Sequence, residues 1–255
     1  MTDDEQLSTI RRVLLATHTG SVANESVKTA RAIAVAFQAE LAALFVEDPN
    51  LLRMAALPFT RETGGASGLA RQIEPADMER ALRLQADRMR RSLEQVASFR
   101  VERGWFGQCV LAAISDSVAA VISPAWRMPQ PDRTRTQPPS HDVMMAVYDG
   151  SAGAARALAL AVRLSQTHGV LRVAIAASSD REFLARQEAV RSRASTAKVR
   201  VEFIRLATDQ PMDLARVARD RAWMALLLSS GSMEMTPQRL TLLLENLYCP
   251  LVLLE

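Results

Sequence analysis

The sequence has little cysteine, little lysine and few aromatic residues. Cys109 and Cys249 lie in different halves, each within an apolar stretch, so buried free thiols are favoured over a disulfide and a reducing, cytoplasmic environment is expected. Lys28 and Lys198 are the only lysines, and arginine supplies the rest of the 31 basic residues. With aromatic residues at 5%, the chain lacks the one-sided basic stripe with interleaved aromatics that is typical of a nucleic-acid surface.

Long apolar runs are also missing. No segment approaches about 18 uninterrupted apolar residues, so no membrane insertion is expected, and the acidic start Met1–Gln6 is unlike a signal peptide. His18, His141 and His168 stand far apart and have no metal-ligand spacing with the cysteines. We therefore expect no metal site. An apolar fraction of 49% with 23% charged residues indicates a globular chain with a substantial core.

A nine-residue phrase occurs twice, 130 positions apart: Val13–Ser21 reappears as Val143–Ser151 with four identities. Each copy has an apolar strand, a polar Gly-Ser turn, an Ala-rich helix and a second apolar strand, which together predict a βαβ unit. The segment 127–141 between the copies contains four prolines and is typical of a linker. We predict two tandem domains, residues 1–126 and 142–255, joined by this linker.

Alternation of strands and helices predicts the fold class. In the second half, five apolar strands alternate with four helices, as in a doubly wound, mainly parallel sheet of the α/β class. The first half stops at its fourth strand, so it lacks the last helix and the fifth strand. Between its second and third strands, Thr60–Gln72 is glycine-rich and predicts an exposed, mobile loop, and Pro75–Ala97 predicts an Arg-rich amphipathic helix.

This order of elements resembles the universal stress protein family in its tandem form. The resemblance covers nearly the whole chain and rests on four features: the strand end Asp149-Gly150-Ser151, the Ala-rich helix after it, the stretch Ala225–Ser230 and the closing Cys249–Leu254. In ATP-binding members, an aspartate that ends strand one contacts the nucleoside. Main chain at the end of strand two, here Ala176, meets the adenine. A loop of the form Gly-x2-Gly-x9-Gly-Ser/Thr after strand four holds the phosphates.

The chain departs from this pattern at the phosphate loop. After strand four, the segment Ser229–Pro237 has one glycine, Gly231, and Glu234 adds negative charge. In the first half, Thr19 stands at the aspartate position and Pro124–Trp126 contains no glycine. Backbone N–H groups of small residues hold phosphates at such loops, so we predict that the usual ATP binding is lost and that no cofactor is used.

The alternative is a residual pocket of the second half that binds ATP, AMP or another small ligand. Its candidate residues follow the three strand ends: Asp149, Gly150, Ser151, Ala176, Ser229 and Gly231. Asp149 and Ser151 also suggest acid-base or nucleophilic chemistry, but without an identifiable histidine base a turn-stabilising role is favoured. His18 ends a strand, where α/β proteins bind ligands, but a solvated or hydrogen-bonded turn histidine is favoured over a catalytic one. We therefore do not predict an enzyme.

The preferred hypothesis is a non-catalytic, universal-stress-protein-like regulatory or interaction module. It would act by self-association or through an unidentified protein partner. Pro250–Leu254 is an apolar terminal strand, and an apolar edge strand favours pairing across a two-fold axis, which predicts a homodimer. The alternative is the adenine-nucleotide or small-ligand sensor described above. A third hypothesis, nucleic-acid binding through the helix Pro75–Ala97, is disfavoured by composition.

Overall fold

Strands from both halves of the chain form one nine-stranded sheet. The computed structural model describes residues 10–19, 24–63, 68, 70–93, 96–114, 118–124, 143–166, 169–206, 210–219 and 224–255, and the predicted linker 127–141 lies outside them. The described elements of the first half are β1 (Arg12–His18), α1 (Asn24–Phe37), β2 (Glu40–Glu47), α2 (Pro49–Ala55), β3 (Arg61–Thr63), β4 (Ala70–Gln72), α3 (Pro75–Ser92), β5 (Ser98–Arg103), α4 (Phe106–Ala113) and β6 (Val118–Ile122). Those of the second half are β7 (Met144–Tyr148), α5 (Ala152–Ser165), β8 (Val170–Ala176), α6 (Asp180–Thr196), β9 (Arg200–Leu206), α7 (Pro211–Arg219), β10 (Ala225–Ser229), a 3₁₀ turn (Ser232–Glu234), α8 (Pro237–Asn246) and β11 (Leu251–Leu254).

The strand order shows how the two halves are joined. It runs β5-β2-β1-β6-β11-β10-β7-β8-β9, and every neighbouring pair is parallel except β6 and β11. β11 lies antiparallel to β6, with Val252 opposite Val121. The last strand of the second half therefore takes the place beside β6 that a fifth strand of the first half would occupy. The predicted α/β class with mainly parallel strands is confirmed.

The expected apolar edge strand is a wrong prediction. β11 pairs with β10 on one side and β6 on the other, and all four of its residues are buried. The apolar character of Leu251–Leu254 is explained by this interior position, since strands covered on both faces are apolar throughout. The outer strands are β5 and β9, which carry charges such as Arg100, Glu102 and Arg200 that oppose edge pairing.

Helices cover both faces of the sheet, and the strand side chains alternate between them. On one face, Val13 and Leu15 of β1 pack with Ile33 of α1 and, further along the sheet, Leu158 of α5 joins the same cluster. On the other face, β6 and β10 pack against α4, α7 and α8, with Leu243 among the fully buried side chains. This two-sided burial is what makes the central strands apolar at every position.

The predicted loop Thr60–Gln72 is wrong in part. Arg61–Thr63 and Ala70–Gln72 form a two-stranded antiparallel hairpin apart from the main sheet, and all six residues are exposed as expected. The Arg-rich helix begins at Pro75 as predicted but ends at Ser92. Arg80 and Arg83 make ion pairs along the helix, with Asp77 at 3.6 Å and with Glu79 at 3.2 Å.

Candidate functional site

The second half places its predicted residues around a tight turn at the end of β7. Gly150 has a φ of +85°, a conformation that favours glycine. The Asp149 carboxylate accepts a hydrogen bond from the Ser151 N–H at 2.8 Å, and the Ser151 hydroxyl caps α5 by accepting from the Ala154 N–H at 3.1 Å. Asp149 and Ser151 therefore stabilise the start of α5, as the turn-stabilising interpretation predicts.

Arg186 of α6 fills the space between this turn and the end of β8. Its guanidinium donates to the carbonyl oxygen of Ala176 and pairs with Glu182 one helical turn away at 2.8 Å. The same guanidinium lies against Gly150, where an added Cβ would stand 3.1 Å from Nε. The main chain of Ala176, the predicted adenine contact, thus already has a charged donor from within the chain.

The Asp149 carboxyl group is partly buried, and burial alone would raise its pKa. Hydrogen bonds from the Ser151 side chain and main chain oppose this effect, together with the nearby Ser232 and the positive charge of Arg186. These contacts hold the pKa of Asp149 below its ordinary value. Asp149 is therefore an ionised hydrogen-bond acceptor at neutral pH.

The loop after β10 uses its own N–H groups within the fold. The Ser230 N–H donates to the Leu254 carbonyl at 2.6 Å, and the Gly231 N–H donates to the Ser229 hydroxyl at 3.2 Å. Met233 and Glu234 follow with φ values of 62° and 45°, a strained conformation for residues with side chains. A phosphate loop presents such N–H groups to an anion. In this loop, the N–H groups of Ser230 and Gly231 are instead bonded to other atoms of the protein.

Ser229 and Gly231 lie close to the other predicted site residues. A Cβ added at Gly153, in the first turn of α5, would lie 2.1 Å from the Ser229 hydroxyl oxygen, so the start of α5 sits directly on the end of β10. Ser232 contributes to the environment of Asp149. The structure therefore brings all six predicted residues to the strand ends of the second half, with Ala176 joined to the turn through Arg186.

At the corresponding strand ends of the first half, an open cavity of about 770 Å³ takes the place of this packed cluster. The carboxyl ends of β1 and β2 form one side, including His18, Thr19 and Val46. The start of α2, the segment from Gly104 to Gln108 and the length of α8 form the others. Parallel sheets of this class bind ligands outside the carboxyl ends of their strands.

His18 is held in this cavity by two contacts. Its Nδ1 lies 3.0 Å from the Thr19 carbonyl oxygen, and its ring meets Phe106 edge-on with ring centroids 5.0 Å apart. Burial lowers the pKa of His18, while the Thr19 contact and the Asp48 carboxylate act in the opposite direction. The imidazole is therefore neutral at pH 7.

The described residues also bear on the expected metal ligands, membrane-spanning helices and cysteines. Within them, no three His, Cys, Asp or Glu side chains group in a way that could hold a metal ion, and no helix is long and apolar enough to cross a membrane. Cys109 and Cys249 are both free thiols, as predicted, although only Cys249 is fully buried.

Comparison with solved structures identifies the fold. A universal stress protein from Archaeoglobus fulgidus matches with a TM-score of 0.55 at 12% identity, over 98% of each chain. The chain has the universal stress protein fold. A putative universal stress protein from Pseudomonas aeruginosa gives a TM-score of 0.44 at 14% identity, covering 97% of this chain and 94% of that one. A functionally unknown protein from Pseudomonas aeruginosa gives 0.41 at 13%, covering 97% and 93%. No protein-family model and no curated protein sequence matches the chain.

Within this universal stress protein fold, sequence reasoning missed the residue that fills the second-half strand ends. Arg186 is one of many helix arginines, and only its spacing of four from Glu182 sets it apart in the sequence. That spacing indicates a helix-face ion pair, which gives no sign of a contact with β8. The cavity of the first half was also missed, apart from His18, because α8 comes to it from the other half of the chain.

Proposed function

We propose that this chain is a non-catalytic regulatory or interaction module whose second half does not bind ATP in the usual manner of its fold family. One observation carries the proposal: the Arg186 guanidinium lies between Gly150 and the Ala176 carbonyl, where a nucleoside would have to enter. The residues present do not fit a nucleotide held there, since its base would compete with a charged side chain for the same carbonyl.

The energy of displacing Arg186 supports this view. A nucleoside reaching Ala176 breaks a charge-assisted hydrogen bond and separates Arg186 from Glu182, whose side chains are 24% and 34% exposed. Hydrogen bonds to charged groups contribute about 1.5–3 kcal/mol, which corresponds to roughly a 10- to 150-fold loss of affinity. The N–H groups of Ser230 and Gly231 are already bonded, so the phosphates gain little in return.

The same turn supports the absence of catalysis. Ser151 caps α5, and Asp149 is an ionised acceptor for the Ser151 N–H. A nucleophilic serine needs a base within hydrogen-bond reach that can take its proton, whereas both of these groups are engaged in the turn. Their arrangement is that of a structural cap.

Nucleotide titration tests the proposal against the ligand-sensor alternative. We expect no rise in the melting temperature of the wild type with 1 mM MgATP, AMP or adenosine. A ligand present at 100 times its Kd would stabilise the fold by about 2.7 kcal/mol, which a thermal-shift assay resolves easily. A rise that is lost in Asp149→Ala and kept in the exposed control Glu188→Ala would overturn the proposal and establish the sensor.

An exposed apolar surface supports a role in protein association. Met54, Leu57 and Phe59 follow one another at and after the end of α2, and Phe59 is 76% exposed. Clustered apolar side chains on a surface are typical of interaction sites. We propose self-association as a homodimer through this surface. Light scattering at micromolar concentration should give a dimer for the wild type and a monomer for Phe59→Asp; a monomeric wild type would contradict the proposal.

A further inference from the structure

The cavity of the first half is large enough and varied enough to bind a small molecule. Its volume of about 770 Å³ falls within the range of roughly 300–1,000 Å³ that is typical of ligand sites. Its lining combines aromatic and aliphatic side chains with a few polar groups from separate elements. A ligand there would contact both halves of the chain, since α8 comes from the second half and the rest from the first.

The charged groups of the cavity are negative. Asp48 and Glu245 supply carboxylates, and the lining that the described residues form includes no lysine or arginine. Two arginines are adjacent in sequence to lining residues: Arg103 is bound to Glu47 at 3.1 Å, and Arg239 donates to the Met233 carbonyl oxygen and lies 3.9 Å from Glu234. His18 is half-buried, and its lowered pKa leaves the imidazole neutral at pH 7. Two negative charges at the rim repel phosphates and carboxylates and attract a cation.

The starts of helices act in the opposite direction, and their effect is smaller. α2 is capped by Asp48 and α8 by Thr236, while α4 has no side-chain cap at Trp105. A helix start contributes about 0.3–1 kcal/mol toward an anion, whereas a hydrogen bond between charged groups contributes about 1.5–3 kcal/mol. The two carboxylates therefore decide which charge is preferred, and the uncapped N–H groups of α4 remain available for a neutral acceptor.

Aromatic side chains favour the same kind of ligand. The Trp105 indole is 49% exposed and lines the cavity, next to Phe106, whose ring contacts His18. An organic cation is attracted to the face of an indole, and a planar body stacks on it. We propose that this cavity binds a small organic ammonium ion with an aromatic body, with Asp48 and Glu245 holding the charge and Trp105 the body.

Three indole compounds of similar size distinguish the contribution of the ligand's charge to binding from that of its aromatic body. Tryptamine carries an ammonium group, tryptophol a hydroxyl and indole-3-acetate a carboxylate. Isothermal titration calorimetry of the full chain should give binding of tryptamine at least about tenfold tighter than that of tryptophol, and weakest binding of indole-3-acetate. Tryptophol or indole-3-acetate binding as tightly as tryptamine, or no heat from any of the three at millimolar concentration, would overturn the proposal.

Matched substitutions locate the site. Glu245→Gln and Asp48→Asn keep size, and asparagine preserves the cap of α2, so both variants should fold. Each should weaken tryptamine about fivefold or more and leave tryptophol unchanged, whereas Trp105→Leu should weaken both compounds. Glu188→Gln, on the distant helix α6, serves as the control for lost negative charge. Equal losses in Glu245→Gln and Glu188→Gln would show a nonspecific charge effect and refute the assignment. Because this cavity shares no lining residue with the turn around Asp149, Ala176 and Arg186, its failure would leave the proposal on the second-half strand ends untouched.

Discussion

Replacing Gly107 with alanine tests whether α4 and α8 are in direct backbone contact. Gly107 lies in the first turn of α4, and a Cβ built there stands 2.6 Å from the carbonyl oxygen of Pro237, 3.1 Å from its Cα and 3.2 Å from its carbonyl carbon. All three are main-chain atoms, so no side-chain rotation relieves the contact. The helices must move apart, and α4 belongs to the first half while α8 belongs to the second.

Two opposing effects set the sign of the change. Alanine is favoured over glycine within a helix by up to about 1 kcal/mol, and without the contact Gly107→Ala would stabilise the protein. Overpacking costs about 1–3 kcal/mol, and backbone atoms yield less than side chains. We expect a net loss of about 1–2 kcal/mol, which lowers the melting temperature by about 2–8 °C in a chain of this size.

Differential scanning calorimetry measures this loss directly. Gln108→Ala, at the neighbouring exposed position of α4, is the control and should change stability by less than about 0.5 kcal/mol. If Gly107→Ala melts at or above the wild-type temperature, the close approach of Gly107 to Pro237 is wrong. The packing of the two halves through these helices would then need to be reconsidered.

Three further predictions use groups whose environment the structure defines. Burial raises the pKa of the Cys249 thiol to about 12, so iodoacetamide at pH 8 should leave Cys249 unmodified in the folded protein and modify it in urea, as read by mass spectrometry. Cys109 is half-buried and its pKa is also raised, so it should react slowly without urea. Burial lowers the pKa of His18 below its ordinary value, so as the pH falls the unfolded chain takes up this proton before the folded protein does, and the folded protein should lose stability below about pH 6.5. His18→Gln should reduce that loss in urea titrations between pH 7 and 5. An unchanged slope of stability against pH would contradict the burial. Glu47 is 7% exposed and accepts two hydrogen bonds from Arg103, so Glu47→Gln should cost about 1–2 kcal/mol in equilibrium unfolding, while the same change at the exposed Glu25 should cost almost nothing.

Local sequence patterns were sufficient for the order of the elements. Strands such as Leu251–Leu254 are apolar at every position because helices cover both faces of the sheet, and helix starts such as Pro237 follow a capping residue, Thr236. The repeated turn at Gly150 has the positive φ that its glycine suggests. Strand burial, helix starts and glycine turns all depend on residues that are close together in the chain, so local residue patterns are enough to predict them.

Partners distant in sequence were harder to predict. The apolar pattern of β11 shows that it is buried and does not show whether β6 or a second copy of the chain covers it, which is why the edge-strand prediction failed. The contact of Arg186 with Ala176 depends on how α6 is rotated over β8, and its helix spacing predicts only the pair with Glu182. The polar composition of Thr60–Gln72 correctly indicated exposure but masked a short hairpin.

The segment from Ser229 to β11 connects the strand ends of the second half with the cavity of the first half. Because β11 is antiparallel to β6, the parallel strands of the two halves point toward opposite edges of the sheet. The chain after Ser229 turns through a short loop at the second-half strand ends, and α8 then packs beside α4 and lines the first-half cavity before entering β11. The same short connection therefore joins the packed strand ends of the second half to the ligand-sized cavity of the first.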